Sequence, residues 1–258
     1  MISITKAALR FAAPFPDIER YERFLFIGPH PDDIEIGAGA TAAKLAARGK
    51  QLCFLVCTDG RYGSGNAPAD MRGAELARLR EREARKSAAE LGVHDVRFLG
   101  LCDGGFYDCD ALVREIALLV GSFQPQVVFA PDPCVSSECH IDHLNVGNAA
   151  RRIACFAPYG DVMEQYGAAA APVEALAYYM SARTNRFVKT SGYFETQLRS
   201  IFSCHLSQFP PDAPETKALR MYLRLRALDF GLRSGKGCAE GFRVLGPTHM
   251  HCLPEAGL

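Results

Sequence analysis

Short apolar runs alternate with helix-like segments over the first 156 residues, and this alternation limits the possible folds more than any other feature. Four runs are predicted to be buried strands: residues 23–28, 51–58, 96–99 and 126–130. Runs of this length are typical of strands covered on both faces of a parallel sheet. Four segments between and after them have helical spacing: residues 37–49, 69–91, 110–122 and 140–156. The alternation predicts right-handed βαβ units and therefore an α/β fold with a mainly parallel sheet flanked by helices.

The second half of the chain is less regular. We predict one further strand at residues 176–180 and two helices at 194–206 and 214–230. Pro214 suits the first position of the last helix, where a backbone N–H would have no helical partner. No repeat, low-complexity tract or linker divides the sequence. We therefore predict a single Rossmann-like domain over residues 1–258, with its motif-bearing core at about 23–245.

Composition and charge argue against several classes of protein. Hydrophobic residues make up 48% and charged residues 22%, as in globular rather than disordered chains. The 29 basic and 29 acidic residues cancel, whereas nucleic-acid-binding proteins usually carry a basic excess. No apolar run reaches the roughly 18 residues of a membrane span, and the N-terminal segment lacks the unbroken apolar core of a signal peptide. We expect a cytoplasmic protein with no nucleic-acid partner and no membrane attachment.

The ten cysteines are scattered along the chain, and no two form a CxxC pair. Cys53 and Cys57 lie in one apolar run and are expected to behave as small buried hydrophobic residues. This distribution favours reduced structural thiols over a disulfide framework or a zinc ribbon.

Two polar clusters follow predicted strands. PHPDDIE at residues 29–35 comes directly after the first strand, and HIDH at residues 140–143 opens a helix after the fourth. Ligands of open parallel sheets bind beyond the carboxyl ends of the strands, and imidazole and carboxylate groups are typical ligands of Zn²⁺. Each cluster alone is weak evidence, because a single histidine at a strand end is more often structural and an Asp-Asp pair before a helix is more often a cap. Their coincidence at one sheet edge favours a metal site.

The sequence resembles the LmbE-like, or PIG-L, family of zinc-dependent de-N-acetylases. The resemblance begins with FIGPHPDDIEIGAGATAAKLAARGKQLCFLVCTDG at residues 26–60. It continues through RERE at 80–83 and HIDH at 140–143, and ends with CHLSQ at 204–208 and AEGF at 239–242. These segments occur in the family's order over most of residues 23–245, and the pairing of HPDD with HxDH is the most specific part.

The resemblance implies a metal centre and a catalytic base. His30, Asp33 and His143 match the family's metal ligands, and three ligands leave a fourth position open for water or substrate. Asp32 matches the general base that takes a proton from the attacking water. The expected ion is Zn²⁺, with Fe²⁺ or another divalent ion as the alternative, since this ligand set accepts several metals.

Further roles follow from the same resemblance, each beside a simpler explanation. His140 is expected to stabilise the tetrahedral oxyanion as imidazolium or to donate a proton to the leaving amine. Asp142 either orients an imidazole or caps a helix. Arg80 matches a substrate-binding arginine, but it also fits a solvated helix surface. His205 is expected to be structural, Cys139 is an unusual neighbour for a metal site, and residues 181–197 are expected to form substrate-facing loops.

The function implied is hydrolytic removal of an acetyl group from an N-acetylated amino sugar or its conjugate. The partner would be a small-molecule substrate, and relatives that associate imply a homo-oligomer. Two alternatives remain: a metal-dependent amidase acting on a non-sugar amide, and a non-catalytic ligand-binding module that has kept the pocket.

Overall fold

A computed structural model describes residues 4–67, 70–251 and 253. Seven strands were found: β1 Arg23–Gly28, β2 Gln51–Thr58, β3 Asp95–Leu101, β4 Val127–Pro131, β5 Ala175–Tyr179, β6 Arg186–Lys189 and β7 Ala239–Leu245. The α-helices in these ranges are α1 Ile4–Ala12, α2 Asp33–Ala47, α3 Gly73–Glu90, α4 Cys109–Phe123, α5 Ile141–Phe156, α6 Gly160–Glu164, α7 Phe194–Phe202, α8 Pro214–Ser234 and α9 Pro247–His251.

The strands form one mixed sheet in the order β3-β2-β1-β4-β5-β7-β6. The first five strands of this order run parallel, β7 is antiparallel to β5, and β6 is antiparallel to β7. The predicted α/β class with a mainly parallel sheet is therefore confirmed.

The strand order places a crevice beside β1. From β1 the chain builds outward through β2 and β3 on one side, and it resumes with β4 and β5 on the other. The loops at the carboxyl ends of β1 and β4 therefore diverge, and such a switch point is where open α/β sheets bind ligands. These loops lead into α2 and α5, and they carry the two polar clusters of the sequence.

Both faces of the sheet are covered by apolar side chains. Successive residues of β1 point to opposite faces, so Leu25 and Ile27 pack in the cluster that contains α4 and α5. Phe24 and Phe26 pack in the cluster that contains α2, where Phe26 stacks on Phe129 with ring centroids 4.3 Å apart. Burying each such side chain contributes about 1.5–3 kcal/mol, which fixes the strands that carry the site.

Element ends differ from the predictions in ways that matter for the site. The helix predicted at 37–49 begins at Asp33, so the second aspartate of HPDD lies in its first turn. The helix predicted at 194–206 ends at Phe202, and α8 continues to Ser234, where Gly235 in a left-handed conformation ends it. Residue 69, at the start of another predicted helix, lies outside the described residues.

Two strands were missed by the sequence analysis. β7 is buried along its whole length, but it contains Glu240, Gly241 and Arg243 and therefore lacks an apolar run. β6 has only four residues and lies within the segment 181–197, which was expected to form loops. That expectation was wrong for β6, because the antiparallel partner that orders it is β7.

None of the helices in the described ranges is long and apolar enough to cross a membrane. The nine cysteines in those ranges are free thiols, and Cys53 and Cys57 are fully buried, as predicted. Cys252 lies outside the described residues.

Candidate metal centre and active site

His30, Asp33 and His143 converge at the crevice between β1 and β4. His30 and Asp33 lie on the turn from β1 to α2, while His143 lies in the first turn of α5. His30 Nδ1 is 3.1 Å from Asp33 Oδ2, and His143 Nε2 is 3.4 Å from the same oxygen. These three side chains are close enough to hold one metal ion.

The other side of the His30 ring faces two carboxylates. Its Nε2 is 3.1 Å from Asp142 Oδ2 and 3.2 Å from Asp103 Oδ1. Because carboxylates only accept hydrogen bonds when ionised, they fix the proton on Nε2. Nδ1 faces Asp33 and His143, and it is the nitrogen that would give up its proton to bind a metal ion, as in other histidines that outer carboxylates orient.

Asp142 is fully buried and is held by backbone donors as well as by His30. The N–H groups of Gly104 and Gly105 each donate to an Asp142 oxygen at 2.8 Å. Asp142 is not the cap of α5: the N-cap is His140, whose Nδ1 accepts the Asp142 N–H at 3.3 Å. Of the two explanations given for Asp142, this geometry favours orientation of an imidazole.

A second group of side chains is also close enough to hold a metal ion: His30, Asp103, His140 and Asp142. Most of its ligand atoms, however, already accept backbone N–H groups, whereas in the group of His30, Asp33 and His143 the one such acceptor among the described hydrogen bonds is Asp33 Oδ2, which accepts the His30 N–H at 2.9 Å. His140 Nδ1 caps α5, both Asp142 oxygens accept backbone N–H groups, and Asp103 Oδ2 accepts the Tyr62 N–H at 3.2 Å. The group of His30, Asp33 and His143 is therefore the better candidate for a metal centre.

The charge balance of the crevice also suits a cation. Four carboxylates are buried there, those of Asp32, Asp33, Asp103 and Asp142. Burial opposes ionisation of Asp33, but hydrogen bonds from the His143 and His30 rings hold the pKa of its carboxyl well below the usual range. Burial also works to lower the pKa of His30, but the surrounding carboxylates overcome it and raise that pKa to about 12. The buried carboxylates therefore favour a positive charge in the crevice, and a bound divalent ion would supply it.

Asp32 has a strained backbone and a perturbed carboxyl group. Its φ of 151° is a conformation that non-glycine residues rarely adopt, and strain of this kind typically costs about 1–3 kcal/mol. Although Asp32 is the N-cap of α2, its side chain makes no capping hydrogen bond. Burial instead raises the pKa of the Asp32 carboxyl to about 6, against the opposing charge of Arg80. Strain and a shifted pKa at one residue are typical of catalytic positions.

Arg80 contacts Asp32 and is almost entirely buried. Its Nη2 is 3.1 Å from Asp32 Oδ2, its Nη1 donates to the Gly60 carbonyl at 2.8 Å, and only 4% of the residue is exposed. A Cβ at Gly60 or Gly63 would come within 2.4 Å of Nη1, so the loop after β2 packs closely over the guanidinium. The alternative of a solvated arginine is wrong. The geometry favours a role in positioning Asp32, and substrate binding by Arg80 stays a prediction.

Some contacts at the site were not foreseen. Asp103 follows the end of β3 at the same sheet edge, and its position after a strand is a signal that could have identified it. Glu138 Oε2 is 3.0 Å from His143 Nδ1, and its Oε1 accepts the His140 N–H at 2.8 Å. His205 is fully buried, with Nε2 3.3 Å from Glu35 Oε1.

Cys139, the unusual neighbour, belongs to neither group of possible ligands among the described residues. Its side chain is exposed and lies 3.6 Å from the Ser137 carbonyl. The thiol is therefore not a candidate ligand in this structure.

Several known proteins are similar to this chain. Residues 25–154 match the PIG-L family profile, described as GlcNAc-PI de-N-acetylase. The chain is 32% identical to diacetylchitobiose deacetylase of Thermococcus kodakarensis over 98% of its own length and 93% of the relative's. It is also 31% identical to 1D-myo-inositol 2-acetamido-2-deoxy-alpha-D-glucopyranoside deacetylase of Thermobifida fusca, over 50% of this chain and 53% of that one.

A solved structure resembles the fold along nearly its whole length. N,N'-diacetylchitobiose deacetylase from Pyrococcus horikoshii, determined in complex with an inhibitor, superposes with a TM-score of 0.87 and 28% identity. The match covers 98% of this chain and 97% of that structure.

Proposed function

Because this chain belongs to the PIG-L family of de-N-acetylases, we propose that it uses a bound zinc ion to remove the acetyl group of an N-acetylglucosaminide. The observation that carries the proposal is the convergence of two imidazole nitrogens on one carboxylate oxygen, beside a second, strained carboxylate. Three ligands of this kind with an open position are typical of catalytic zinc sites.

His30, Asp33 and His143 would hold the ion, and Asp142 and Asp103 would orient His30 from behind. When bound, such an ion polarises a carbonyl group and makes water more acidic. The chain's own residues must then remove a proton from the attacking water, stabilise the charge on the carbonyl oxygen and protonate the leaving amine.

Asp32 is the proposed general base. With a pKa of about 6, its carboxyl is mostly ionised at neutral pH and remains basic enough to take a proton. The Arg80 guanidinium at 3.1 Å fixes one carboxylate oxygen, which leaves the other to face the water. The protonated Asp32 can afterwards return its proton to the leaving amine.

His140 is the proposed donor to the developing oxyanion. Its ring lies at the open side of the crevice, with its centroid 4.6 Å from that of His30 and 5.2 Å from that of His143. Because Nδ1 accepts the Asp142 N–H, the ring proton is on Nε2, and the neutral imidazole donates through that nitrogen. An imidazolium would lose this capping hydrogen bond.

The proposed function is tested by acetate release from a panel of amides. The panel contains N,N'-diacetylchitobiose, N-acetylglucosaminyl-inositol and N-acetylated amines that carry no sugar. We expect acetate from the glucosaminides only, abolished by a chelator and restored by added Zn²⁺. Release from the non-sugar amides instead would indicate the amidase alternative, and no release with no bound metal would indicate a binding module.

We also propose that the chain forms a homo-oligomer through α8. The outward face of this helix exposes Ala218, Met221, Leu225, Leu228 and Leu232, which are spaced alternately three and four residues apart. This spacing is that of a coiled-coil seam, and the opposite face of α8 already packs on the protein. A second copy is the occupant that suits the flanking charges: parallel pairing brings Arg224 of one chain against Asp229 of the other.

We also propose a cytoplasmic location for the protein. It is supported by the ten cysteines without CxxC pairing and by the nine free thiols within the described residues. Cell fractionation with tagged full-length protein would test it.

A further inference from the structure

Two aromatic side chains stand exposed at the same sheet edge as the candidate metal centre. Tyr62, in the loop after β2, is 58% exposed, and Phe106, in the loop after β3, is 72% exposed. Their ring centroids are 6.0 Å apart, and the rings meet edge to face at 82°. Neither the chemistry proposed above nor the packing of the core requires them.

Both rings are connected to the site by backbone hydrogen bonds. The Tyr62 N–H donates to Asp103 Oδ2, and the other oxygen of Asp103 contacts His30. Phe106 directly follows Gly104 and Gly105, whose N–H groups donate to Asp142. The Tyr62 backbone therefore contacts one of the two carboxylates that orient His30. Phe106 is the next residue after a glycine that contacts the other.

Two glycines let Phe106 and Ile141 pack closely against the backbone of the loop after β3. Gly104 and Gly105 have φ values of +82° and +80°, which glycine adopts readily and other residues rarely do. A Cβ at Gly104 would lie 3.2 Å from the Phe106 ring, and one at Gly105 would lie 2.9 Å from Ile141 Cγ2. Ile141, also exposed, comes directly after His140. We name the two aromatic residues Tyr62 and Phe106, together with the adjacent Ile141, the aromatic rim.

The chemistry of the rim limits what it can bind. It is apolar but small, and it is bordered by the buried carboxylates of the crevice and by the ion pair of Arg61 with Asp59. Protein and lipid partners generally need a larger contiguous apolar patch. A pyranose ring suits a small rim better, since its C–H face is apolar and its edge carries hydroxyl groups. Aromatic side chains at binding sites supply this combination of apolar area and, in tyrosine, a polar end.

We propose that Tyr62 and Phe106 of the aromatic rim are the side chains that bind the pyranose ring next to the acetylated sugar. The substrate named for the Thermococcus relative, diacetylchitobiose, has such a second ring, and the proposal assigns the residues that would contact it here. This inference rests on the proposed function and adds to it a second subsite. The acetylated ring lies over His30, Asp32 and His140, and the adjoining ring lies against Tyr62 and Phe106.

The test compares kcat/KM for N,N'-diacetylchitobiose with kcat/KM for N-acetylglucosamine. Tyr62→Ala and Phe106→Ala should each lower the ratio of the two values by roughly tenfold, since an aromatic contact of this kind contributes on that scale. Phe106→Tyr should retain most of the ratio.

A matched aromatic pair provides the control. Phe156 and Tyr159, at the opposite end of α5, have ring centroids 6.4 Å apart, and Tyr159 is 57% exposed. Tyr159→Ala should leave the ratio unchanged. An unchanged ratio in both rim variants overturns the proposal, as does a loss of subunit association in those variants, because the rim would then be an interface between copies of the chain.

A second measurement separates this proposal from the proposed function. If wild-type protein releases no acetate from either sugar, the function has failed, and the rim is tested by calorimetry with chitobiose and glucosamine. Weaker binding of chitobiose relative to glucosamine in Tyr62→Ala then supports the rim. Equal affinities, or no binding of chitobiose to wild type, overturn it.

Discussion

Asp32 combines three features at one residue: a strained backbone, a buried carboxyl group and an ion pair with a buried arginine. A helix cap would need none of them, since an ordinary N-cap aspartate has extended backbone and bonds to the helix N–H groups. The structure therefore uses this residue to hold a carboxylate toward the crevice. The conformational strain at Asp32 is consistent with the proposed role of its carboxylate as the general base.

Asp32→Asn should lower kcat by about 10²-fold or more, because the amide keeps the shape of the side chain but cannot accept the proton. Bound metal should be retained, since the proposed ligands are unchanged. The measurements are acetate release and metal content of the purified variant. Asp59→Asn, a carboxylate at the same sheet edge that pairs with Arg61, is the control. Near wild-type turnover in Asp32→Asn would remove it from the role of base.

His143→Ala should lose the metal and the activity together. Removing a ligand should weaken metal binding by more than the ~100-fold that loss of an outer partner typically costs. His94→Ala provides the control, because His94 is exposed and lies before β3, at the opposite edge of the sheet. Metal content after dialysis is the readout. Tightly bound zinc in the His143 variant would exclude it from the ligands.

Sequence motifs identified the residues that the structure brings together, because HPDD and HxDH are local patterns after strands. The sequence does not show which further side chains contact these residues, because such contacts depend on the direction in which each side chain points. Arg80 shares its helix with Arg78, Arg82 and Arg85, and nothing in the sequence says that Arg80 alone is buried. Glu138 likewise carries no signal in the sequence, whereas Asp103 could have been identified by its position just after β3.

At the scale of elements, Glu240 connects β7 to two helices. Its Oε1 accepts the Ala40 N–H and a Gln197 side-chain N–H, and its Oε2 accepts the Thr41 N–H at 2.7 Å. The carboxyl thus connects α2, which begins at the site, with α7. Burial raises the pKa of Glu240 to about 7, although these hydrogen bonds oppose the shift.

This shift predicts a pH dependence of stability. The folded protein binds the Glu240 proton more tightly than the unfolded chain does. Protonated Glu240 therefore stabilises the folded state. This contribution to the free energy of unfolding is complete below the unfolded pKa near 4.5 and is lost as pH rises through about 7. Its full size is about 3 kcal/mol at 1.36 kcal/mol per pKa unit.

Glu240→Gln should remove this contribution, so its free energy of unfolding should change less between pH 5 and pH 8 than that of wild type. Urea unfolding at the two pH values measures the difference. Glu195→Gln, at an exposed position in α7, should behave as wild type. A Glu240 variant with the full pH dependence of wild type would show that another group is responsible.

Element existence followed from the sequence where strands are apolar and buried on both faces, as in β1, β2 and β4. The sequence did not predict β6 and β7. β7 buries Glu240 and Arg243 by pairing them with groups from distant parts of the chain, and β6 is ordered by pairing with β7. Such compensation is a property of the tertiary structure and leaves no periodic signal.

At the scale of the whole molecule, the proposed α8 pairing makes a charge-swap prediction. Arg224→Glu should weaken self-association, since it places like charges opposite Asp229 of the second copy. Adding Asp229→Arg should restore it. Sedimentation equilibrium measures the association, and Leu225→Glu should abolish it by placing a charge in the seam. A monomeric wild type, or a charge reversal that the second substitution does not rescue, would contradict the pairing.

The central claim is that His30, Asp33 and His143 share one divalent ion. Anomalous diffraction at the zinc edge, from crystals grown with Zn²⁺, tests it most directly. We expect one peak about 2.0–2.2 Å from His30 Nδ1, Asp33 Oδ2 and His143 Nε2. A peak among His30, Asp103, His140 and Asp142 instead, or no ordered ion at this sheet edge, would contradict it.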